Sequence, residues 1–291
     1  MSEEQQWKYV IEPSKGVFGL KLRDLWQYRD LIYLFVKRDF ISMYKQTILG
    51  PLWAIINPVL STVFFTVIFG TFAKLTTMDT AQAEKIVVPS FLFYMIGNIL
   101  WEYFSGTAKA VSDVFVHNAE MMKKVYYPRL TVPIASAIFG LLKLFIQLIL
   151  FIILLGICVC NGSAVVAPSP MLAMFPLLIV QLMLFGLGVG FIISSLTAKY
   201  RDLILLVDFG LQLWLYATPV AYGLQLVPEK WFGFYMLNPL TSIFTAIRYL
   251  CFGEGYFNLK YYALSWAMTV MILMVGITLF NRTEKNFVDF V

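Results

Sequence analysis

The sequence predicts an all-α integral membrane protein, and its composition carries that prediction. Of its 291 residues, 60% are hydrophobic and 13% are charged, and the mean hydropathy is +0.76, far from the values of soluble domains. Apolar runs of about 20 residues recur along the chain, each long enough to cross a hydrocarbon core of roughly 30 Å. The net charge of +5 is attributed to basic cytoplasmic loops, so nucleic acid is not expected as a partner.

Residues 1–49 are predicted to be cytoplasmic, with an amphipathic helix lying on the membrane surface from Leu20 to Lys45. Apolar side chains gather on one side of this helix and charged ones on the other. The apolar side comprises Leu25, Tyr28, Ile32, Phe35, Val36, Phe40 and Met43, and the polar side comprises Arg23, Gln27, Asp30, Lys37, Arg38 and Lys45.

Six transmembrane helices are predicted within residues 50–280, followed by a cytoplasmic tail at 281–291. Their approximate ranges are Gly50–Phe72, Ile86–Ala108, a part of Leu130–Cys160, Pro170–Leu196, Leu203–Tyr222 and Tyr261–Phe280. In the fourth range, Gly186, Gly188 and Gly190 are expected to permit close packing of helices.

The distribution of lysine and arginine predicts the orientation. With the N-terminus inside, sixteen of the 22 basic residues fall in cytoplasmic segments and five on the opposite side, with Lys143 left within a span. Because cytoplasmic loops carry the excess of basic residues, both termini are predicted to be cytoplasmic.

The apolar segment at 227–253 is predicted to be a re-entrant helical hairpin on the outer side, between spans five and six. Pro239 divides it into two pieces, Glu229–Leu237 and Pro239–Phe252, each too short to cross the bilayer. Irregular backbone at membrane depth is tolerated where it is buried in protein or faces water.

The sequence offers no catalytic site and no metal site. It has no GxxxxGK[ST] phosphate loop, so it cannot bind ATP in that way. The only histidine, His117, has no neighbouring residues that would complete a metal site or a catalytic group.

Three ionisable residues fall within the predicted spans: Glu102, Lys143 and Asp208. A charge at the bilayer centre costs about 2.5–3.5 kcal/mol on insertion scales, so each is expected to face protein or water. They are interpreted either as an ion relay or as groups solvated by water or a partner near the ends of their spans.

Polar and aromatic side chains share one face on each of three spans. The members are Trp53, Asn57, Ser61, Phe64, Phe65 and Phe72 on the first, Ser90, Tyr94, Asn98, Trp101 and Ser105 on the second, and Asp208, Gln212 and Tyr216 on the fifth. Two interpretations stay open. The stripes pack between helices, or they line a conduit in which rings stack on sugars and amides and hydroxyls meet sugar hydroxyls.

The segment Asp113–Pro133 is predicted to be a short amphipathic cytoplasmic helix that ends before Pro128. Its basic residues Lys123, Lys124 and Arg129 would meet lipid phosphates or dock to a partner.

Four motifs, in order, carry a resemblance to a known family. They are Lys37-Arg38-Asp39 with Tyr44-Lys45, Thr47, Leu49-Gly50 and Trp53; Asn118-Ala119-Glu120 with Lys124 and Tyr127-Pro128-Arg129; Tyr200-Arg201-Asp202-Leu203 continuing to Tyr216-Ala217-Thr218-Pro219-Val220; and Leu237-Asn238-Pro239. From about residue 20 onward, the chain resembles the permease subunits of bacterial ABC exporters for polysaccharides, the O-antigen, capsule and teichoic-acid group.

The resemblance implies a homodimer of this chain with two copies of a separate ATP-binding-cassette ATPase, in the bacterial plasma (inner) membrane. ATP and Mg would bind to the partner, with no cofactor on this chain. The substrate would be a lipid-linked polysaccharide, and membrane lipids would be the other partners. The outer hairpin would resemble the gate helices.

The resemblance also assigns residues to three tasks. Channel lining falls to Trp53, Asn57, Ser61, Phe64, Phe65, Phe72, Tyr94, Asn98, Trp101, Gln212 and Tyr216. Contact with lipid phosphates at the entrance falls to Arg38, Tyr44 and Lys45. ATPase coupling falls to the loop at 109–129, with Asn118, Glu120, Lys123, Lys124, Tyr127 and Arg129.

Three other functions compete with polysaccharide export. An ABC exporter of small lipids or drugs would share the six-span plan with a less polar conduit. An ion-coupled lipid-glycan flippase would depend on Glu102 or Asp208. A membrane glycosyl- or acyltransferase is disfavoured because no cluster of catalytic carboxylates or histidines is present.

Overall fold

The computed structural model describes residues 22–45, 47–72, 88–118, 127–200, 202–253 and 255–290, and most of these residues are helical. The helices are α1 (Leu22–Gln27), α2 (Arg29–Tyr44), α3 (Trp53–Phe65), α4 (Ser90–Ser112), α5 (Val114–His117), α6 (Thr131–Cys160), α7 (Phe175–Thr197), α8 (Leu203–Ala217), α9 (Glu229–Leu237), α10 (Pro239–Phe252) and α11 (Leu259–Phe290). The predicted all-α class is therefore confirmed.

Within the described residues, four helical stretches are long and apolar enough to cross a membrane. They are Gly50–Gly70, Thr131–Cys160, Pro170–Thr197 and Leu259–Glu284. The predicted second and fifth spans, which correspond to α4 and α8, are not among these four stretches. Helix α4 has 23 residues but includes Glu102 and Lys109, and α8 has only 15 residues, or about 22 Å at 1.5 Å per residue. The count of six spans thus stays a prediction.

Helix α4 lies at the centre of the bundle. It packs against α3, α6, α7, α8 and α10, and nearly all of its side chains from Leu92 to Leu100 are buried. The outer faces of α3, α6 and α8 carry exposed apolar side chains, as expected for membrane helices that face lipid or another subunit rather than water.

The predicted glycine packing in α7 is confirmed by its contact with α11. A methyl group added to Gly188 would lie 2.9 Å from the backbone of Leu273, and one added to Gly276 would lie 2.5 Å from the carbonyl oxygen of Gly188. Only residues without a side chain let two helix backbones approach this closely. Gln181 joins the same two helices, because its Nε2 donates to Ser265 Oγ at 2.8 Å.

A second core cluster lies where α2 meets the rest of the protein. Leu25, Phe35 and Val36 are buried there, together with residues of α5, α6 and α7. Much of the apolar side of the predicted amphipathic helix therefore packs on protein. Phe40 and Met43 belong to the same predicted side but are exposed.

The break predicted at Pro239 is confirmed, with helices on both sides of Asn238. Asn238 caps α10 because its Oδ1 accepts from the backbone N–H of Leu240 at 3.2 Å, and proline suits the first helical position. The helix ends at Gly253, whose φ of +78° is readily adopted only by glycine. Whether the hairpin re-enters the membrane stays a prediction.

Candidate functional site

The stripe predicted on α3 lies mainly on the surface of the protein. Trp53, Asn57 and Ser61 are exposed, and Phe64 is 66% exposed. Phe65 is half-buried and stacks on Phe69 with ring centroids 5.5 Å apart. This helix thus presents indole, amide, hydroxyl and phenyl groups on one accessible side.

The last predicted member of this stripe, Phe72, lies in a different type of helix. Residues Thr66–Phe72 form a π-helical turn, in which each residue rotates less about the axis than in an α-helix. The α-helical period that placed Phe72 on the stripe does not hold there, so its place on the stripe stays a prediction. The side chain of Phe72 itself lies outside the described residues.

The stripe predicted on α4 lies inside the protein. Tyr94 is 1% exposed, and Asn98 and Trp101 are also buried. Asn98 Nδ2 donates to Thr62 Oγ1 of α3 at 3.4 Å, and the Trp101 ring lies 5.4 Å from that of Phe104. This arrangement is that of interhelical packing, one of the two interpretations open from the sequence.

The stripe predicted on α8 is accessible again. Gln212 is exposed and Tyr216 is 62% exposed. On the other side of the helix, the Trp214 ring lies 5.4 Å from Phe104 and 5.9 Å from Phe185. Helices α3 and α8 both pack on α4, so the two accessible stripes flank one buried helix.

Glu102 and Lys143, two of the charged residues within predicted spans, form an ion pair. Lys143 Nζ lies 2.5 Å from Glu102 Oε1. Gln147 Nε2 donates to Glu102 Oε2 and to the backbone oxygen of Ala54, both at 3.0 Å. The cluster thereby joins α3, α4 and α6, which explains how these helices accommodate charge in an apolar setting.

Asp208, the third such residue, pairs with Lys109 on α4. Lys109 Nζ lies 2.8 Å from Asp208 Oδ1, and both side chains are about half exposed. Nearby, burial raises the pKa of the Asp113 carboxyl, while a hydrogen bond from Ser112 acts in the opposite direction. Lys109 and Asp208 therefore tie α8 to α4 close to the predicted coupling loop.

The entrance candidates lie at the C-terminal end of α2 in different environments. Lys45 is exposed. Arg38 Nη2 lies 2.8 Å from Asp39 Oδ1, and its guanidinium lies over the Phe35 ring at 5.0 Å. Tyr44 is buried, and burial is the main cause of its raised pKa, followed by the charge of Glu102. Tyr44 is thus close enough to Glu102 for its charge to disfavour the phenolate.

Only part of the predicted coupling segment is described. Glu120, Lys123 and Lys124 lie outside the described residues. Asn118 Nδ2 donates to the backbone oxygen of Val114 at 3.2 Å.

The end of the coupling segment packs on the protein itself. Tyr127 is buried, with its ring 5.8 Å from that of Phe35. Arg129 Nη1 donates to the backbone oxygen of Glu284 at 2.9 Å. Arg129 therefore connects this segment to the C-terminal part of α11.

At the opposite end of the bundle, Arg248 of α10 is 4% exposed. Its Nη1 donates to the carbonyl oxygen of Pro219 at 2.7 Å and its Nη2 to that of Val220 at 2.5 Å. Its guanidinium lies 3.7 Å from the centroid of the Phe93 ring. Arg248 thus satisfies the buried carbonyl groups that follow α8 and ties α4, α8 and α10 together.

An apolar cavity of about 740 Å³ opens beside α8 and α9. Six aromatic residues contribute to its lining, namely Phe185, Trp214, Tyr222, Trp231, Phe234 and Tyr235. Tyr222 Oη donates to the backbone oxygen of Tyr216 at 2.9 Å, so one hydroxyl near this cavity is held by the protein.

Comparison with known families decides what kind of protein carries these features. The ABC-2 type transporter family matches residues 30–252, from α2 to the end of α10. The chain belongs to the ABC-2 type transporter family. As an ABC-2 type transporter, it is a membrane transport subunit and not an enzyme.

Three relatives of this ABC-2 type transporter share one name, O-antigen export system permease protein RfbA. Two are from Klebsiella pneumoniae and are 26% and 27% identical, each over 89% of this chain and 94% of the relative. The third, from Myxococcus xanthus, is 26% identical over 92% of this chain and 98% of the relative.

The two ion pairs and Arg248 are features of this ABC-2 type transporter that sequence reasoning missed. Glu102 and Lys143 are each isolated within an apolar run of the sequence. One acid and one base on different spans are a signal that could have predicted their ion pair. Arg248 lies in the predicted outer hairpin, and no local pattern indicated its burial.

Proposed function

We propose that this chain is the permease subunit of an ATP-driven exporter that moves a lipid-linked polysaccharide across the bacterial inner membrane. The observation that carries the proposal is the likeness to O-antigen export permeases over about nine-tenths of the chain and of each relative. Membership of the ABC-2 family supports an ATP-binding-cassette partner, and ATP and Mg would bind there. Two copies of each subunit would form the complex.

The proposed topology has six spans with both termini in the cytoplasm. Helix α4 supports this as the second span, because 23 residues reach about 34 Å. Helix α8 is too short alone, and the buried residues Thr218–Ala221 would continue its path. Arg248 supports that path by satisfying carbonyl groups of this irregular segment. The hairpin of α9 and α10 would then lie on the outer side.

The proposed conduit runs along the accessible stripes of α3 and α8, facing the same stripes of a second protomer. Exposed tryptophan, phenylalanine and tyrosine rings would stack on sugar faces, and Asn57, Ser61 and Gln212 would exchange hydrogen bonds with hydroxyls. Many weak contacts of this kind permit sliding, because none of them holds the glycan strongly. Tyr94, Asn98 and Trp101 would support this wall from behind.

The proposed coupling element is the segment that ends at Arg129. In this proposal the loop at 109–129 binds in a groove of the ATPase, and closure of the ATPase dimer moves the loop as a rigid body. The contacts of Tyr127 with α2 and of Arg129 with α11 support transmission to both helices. Arg38 and Lys45 would meet the phosphates of the lipid carrier near this end, as cations attract anionic headgroups.

A deletion strain complemented with this chain tests the function. Surface polysaccharide should return only when the chain is paired with an active ATPase, and an ATPase-dead partner should abolish it. Export of a small lipid or drug with unchanged surface polysaccharide would instead favour the small-substrate exporter. Full export with the ATPase-dead partner would favour the ion-coupled flippase.

Substitutions on the accessible stripes test the conduit. Replacing Trp53, Phe64 and Tyr216 together by alanine should reduce export of long glycans more than of short ones, with the complex intact. The matched control is Phe145→Ala, since Phe145 is exposed to a similar degree but lies on α6, away from the stripes. Equal glycan length distributions in both variants would refute the conduit assignment.

Substitutions of the coupling segment test the link to ATP hydrolysis. Replacing Lys123 and Lys124 by alanine should lower glycan-stimulated ATP turnover while the subunits still copurify. Arg129→Ala should give the same defect and also weaken packing at Glu284. Wild-type turnover in both variants would show that the coupling assignment is wrong.

A further inference from the structure

A second cavity, of about 340 Å³, lies under the hairpin of α9 and α10. Its walls come from the first turns of α4 and α9, the turn after Gly223, the end of α10 and the loop at 255–256. Volumes of this order are typical of sites for small molecules. In the proposed topology all these parts lie on the outer side of the membrane.

Aromatic rings form one part of the wall of this cavity. Phe232 and Tyr256 meet edge to face, with ring centroids 5.3 Å apart. Phe93 also contributes, with the guanidinium of Arg248 held against its ring. Flat apolar ring faces beside polar groups suit a ligand that has both apolar C–H faces and hydroxyl groups.

Polar groups complete the wall. Gln225 and Glu229 line the cavity and are exposed, and neither side chain has a hydrogen bond within the described part of the chain. Arg248 Nε is buried and also lacks a partner among the described residues. The amide of Gln225 and the carboxylate of Glu229 therefore offer a ligand both a donor and acceptors.

We propose that this cavity binds one neutral sugar ring of the exported glycan, an inference that rests on the proposed function. A hydrocarbon chain would leave the polar groups unpaired, at a cost for each buried one. An anion is disfavoured because Glu229 shares the cavity and because Arg248 Nη1 and Nη2 already donate to carbonyl oxygens. The site would hold a sugar that has reached the outer face and oppose its return.

Saturation-transfer NMR on the full chain in nanodiscs tests the proposal, since nanodiscs avoid sugar-based detergents. The probes are free galactose, mannose and N-acetylglucosamine. At least one should receive saturation from the wild type. Tyr256→Ala and Gln225→Ala should each reduce its signal at least fivefold. Trp231→Ala is the matched control, because Trp231 is an exposed ring on the same hairpin that lines the other cavity.

Three results would overturn the sugar site, and the first is that none of the three sugars receives saturation from the wild type. Equal signals from the wild type and both cavity variants would place sugar binding elsewhere, and displacement of the sugar by inorganic phosphate or glucuronate would indicate an anion site.

The proposed function has a separate readout, which is surface polysaccharide in the complemented strain. Restored polysaccharide without sugar saturation would reject the cavity proposal alone. A different outcome would support the cavity site and reject the proposed function. In that case the wild type transfers saturation to a sugar, Tyr256→Ala abolishes the transfer, and the complemented strain exports no polysaccharide.

Discussion

The ion pair between Glu102 and Lys143 yields a prediction that also separates two mechanisms. Lys143→Met removes a hydrogen bond to a charged group, a loss of about 1.5–3 kcal/mol. Among the described residues, Gln147 then remains as the one hydrogen-bond donor to the Glu102 carboxylate. Because the two side chains are 30% and 21% exposed, water offsets part of this loss. We expect each of Glu102→Gln and Lys143→Met to lower the free energy of unfolding by about 2 kcal/mol.

The double variant decides whether the two residues act as a pair. With both charges removed, the loss should be about 2 kcal/mol rather than about 4, a coupling energy of about 2 kcal/mol. Unfolding of the purified chain by sodium dodecyl sulfate in mixed micelles measures these differences. Lys109→Met is the control, since its half-exposed pair with Asp208 should contribute less than about 1 kcal/mol.

The same variants test export. If Glu102 only balances Lys143, the double variant should export more polysaccharide than either single variant. Additive losses of stability would refute the pairing argument. Complete loss of export in every variant that lacks the Glu102 carboxylate would instead support an ion relay.

Three further predictions concern packing and charge. Arg248→Met should lower the free energy of unfolding by about 2–4 kcal/mol, and Arg248→Lys should lower it less, each measured as a fall in Tm. A wild-type Tm in the Arg248→Met variant would refute the role of the carbonyl contacts. Gly188→Ala should lower Tm because its methyl group meets the backbone of Leu273, whereas Gly210→Ala, with open space, should raise it. Burial raises the pKa of Asp113, so stability falls as pH rises through that pKa. Asp113→Asn should therefore raise Tm at pH 8, with a gain that disappears at low pH.

Local sequence signals predicted those parts of the fold that neighbouring residues determine. Pro239 gave the break between α9 and α10 because proline lacks the N–H that a continuous helix needs. The glycines of α7 predicted close helix packing, because a missing side chain permits it in any fold. The helix Arg29–Tyr44 also falls within the predicted range.

Features that depend on tertiary neighbours were not predictable in the same way. Periodicity placed Tyr94 and Trp53 on similar stripes, yet only packing decides that one is buried and the other exposed. The π-helical turn at Thr66–Phe72 changes the period itself, so a fixed angle per residue failed there. The buried contacts of Arg248 join residues almost 30 positions apart, beyond the reach of any local pattern.

The contact between α7 and α11 has a consequence for biosynthesis. Helix α7 leaves the ribosome well before α11, which follows it by about 60 residues, is complete. Until then the amide of Gln181 lacks its partner Ser265, and the surface around Gly188 meets lipid. An unsatisfied amide in hydrocarbon is costly, so a nascent or truncated chain without α11 would present a recognisable defect to membrane proteases and insertases. The arrival of α11 would thus both satisfy this amide and cover the glycine face of α7.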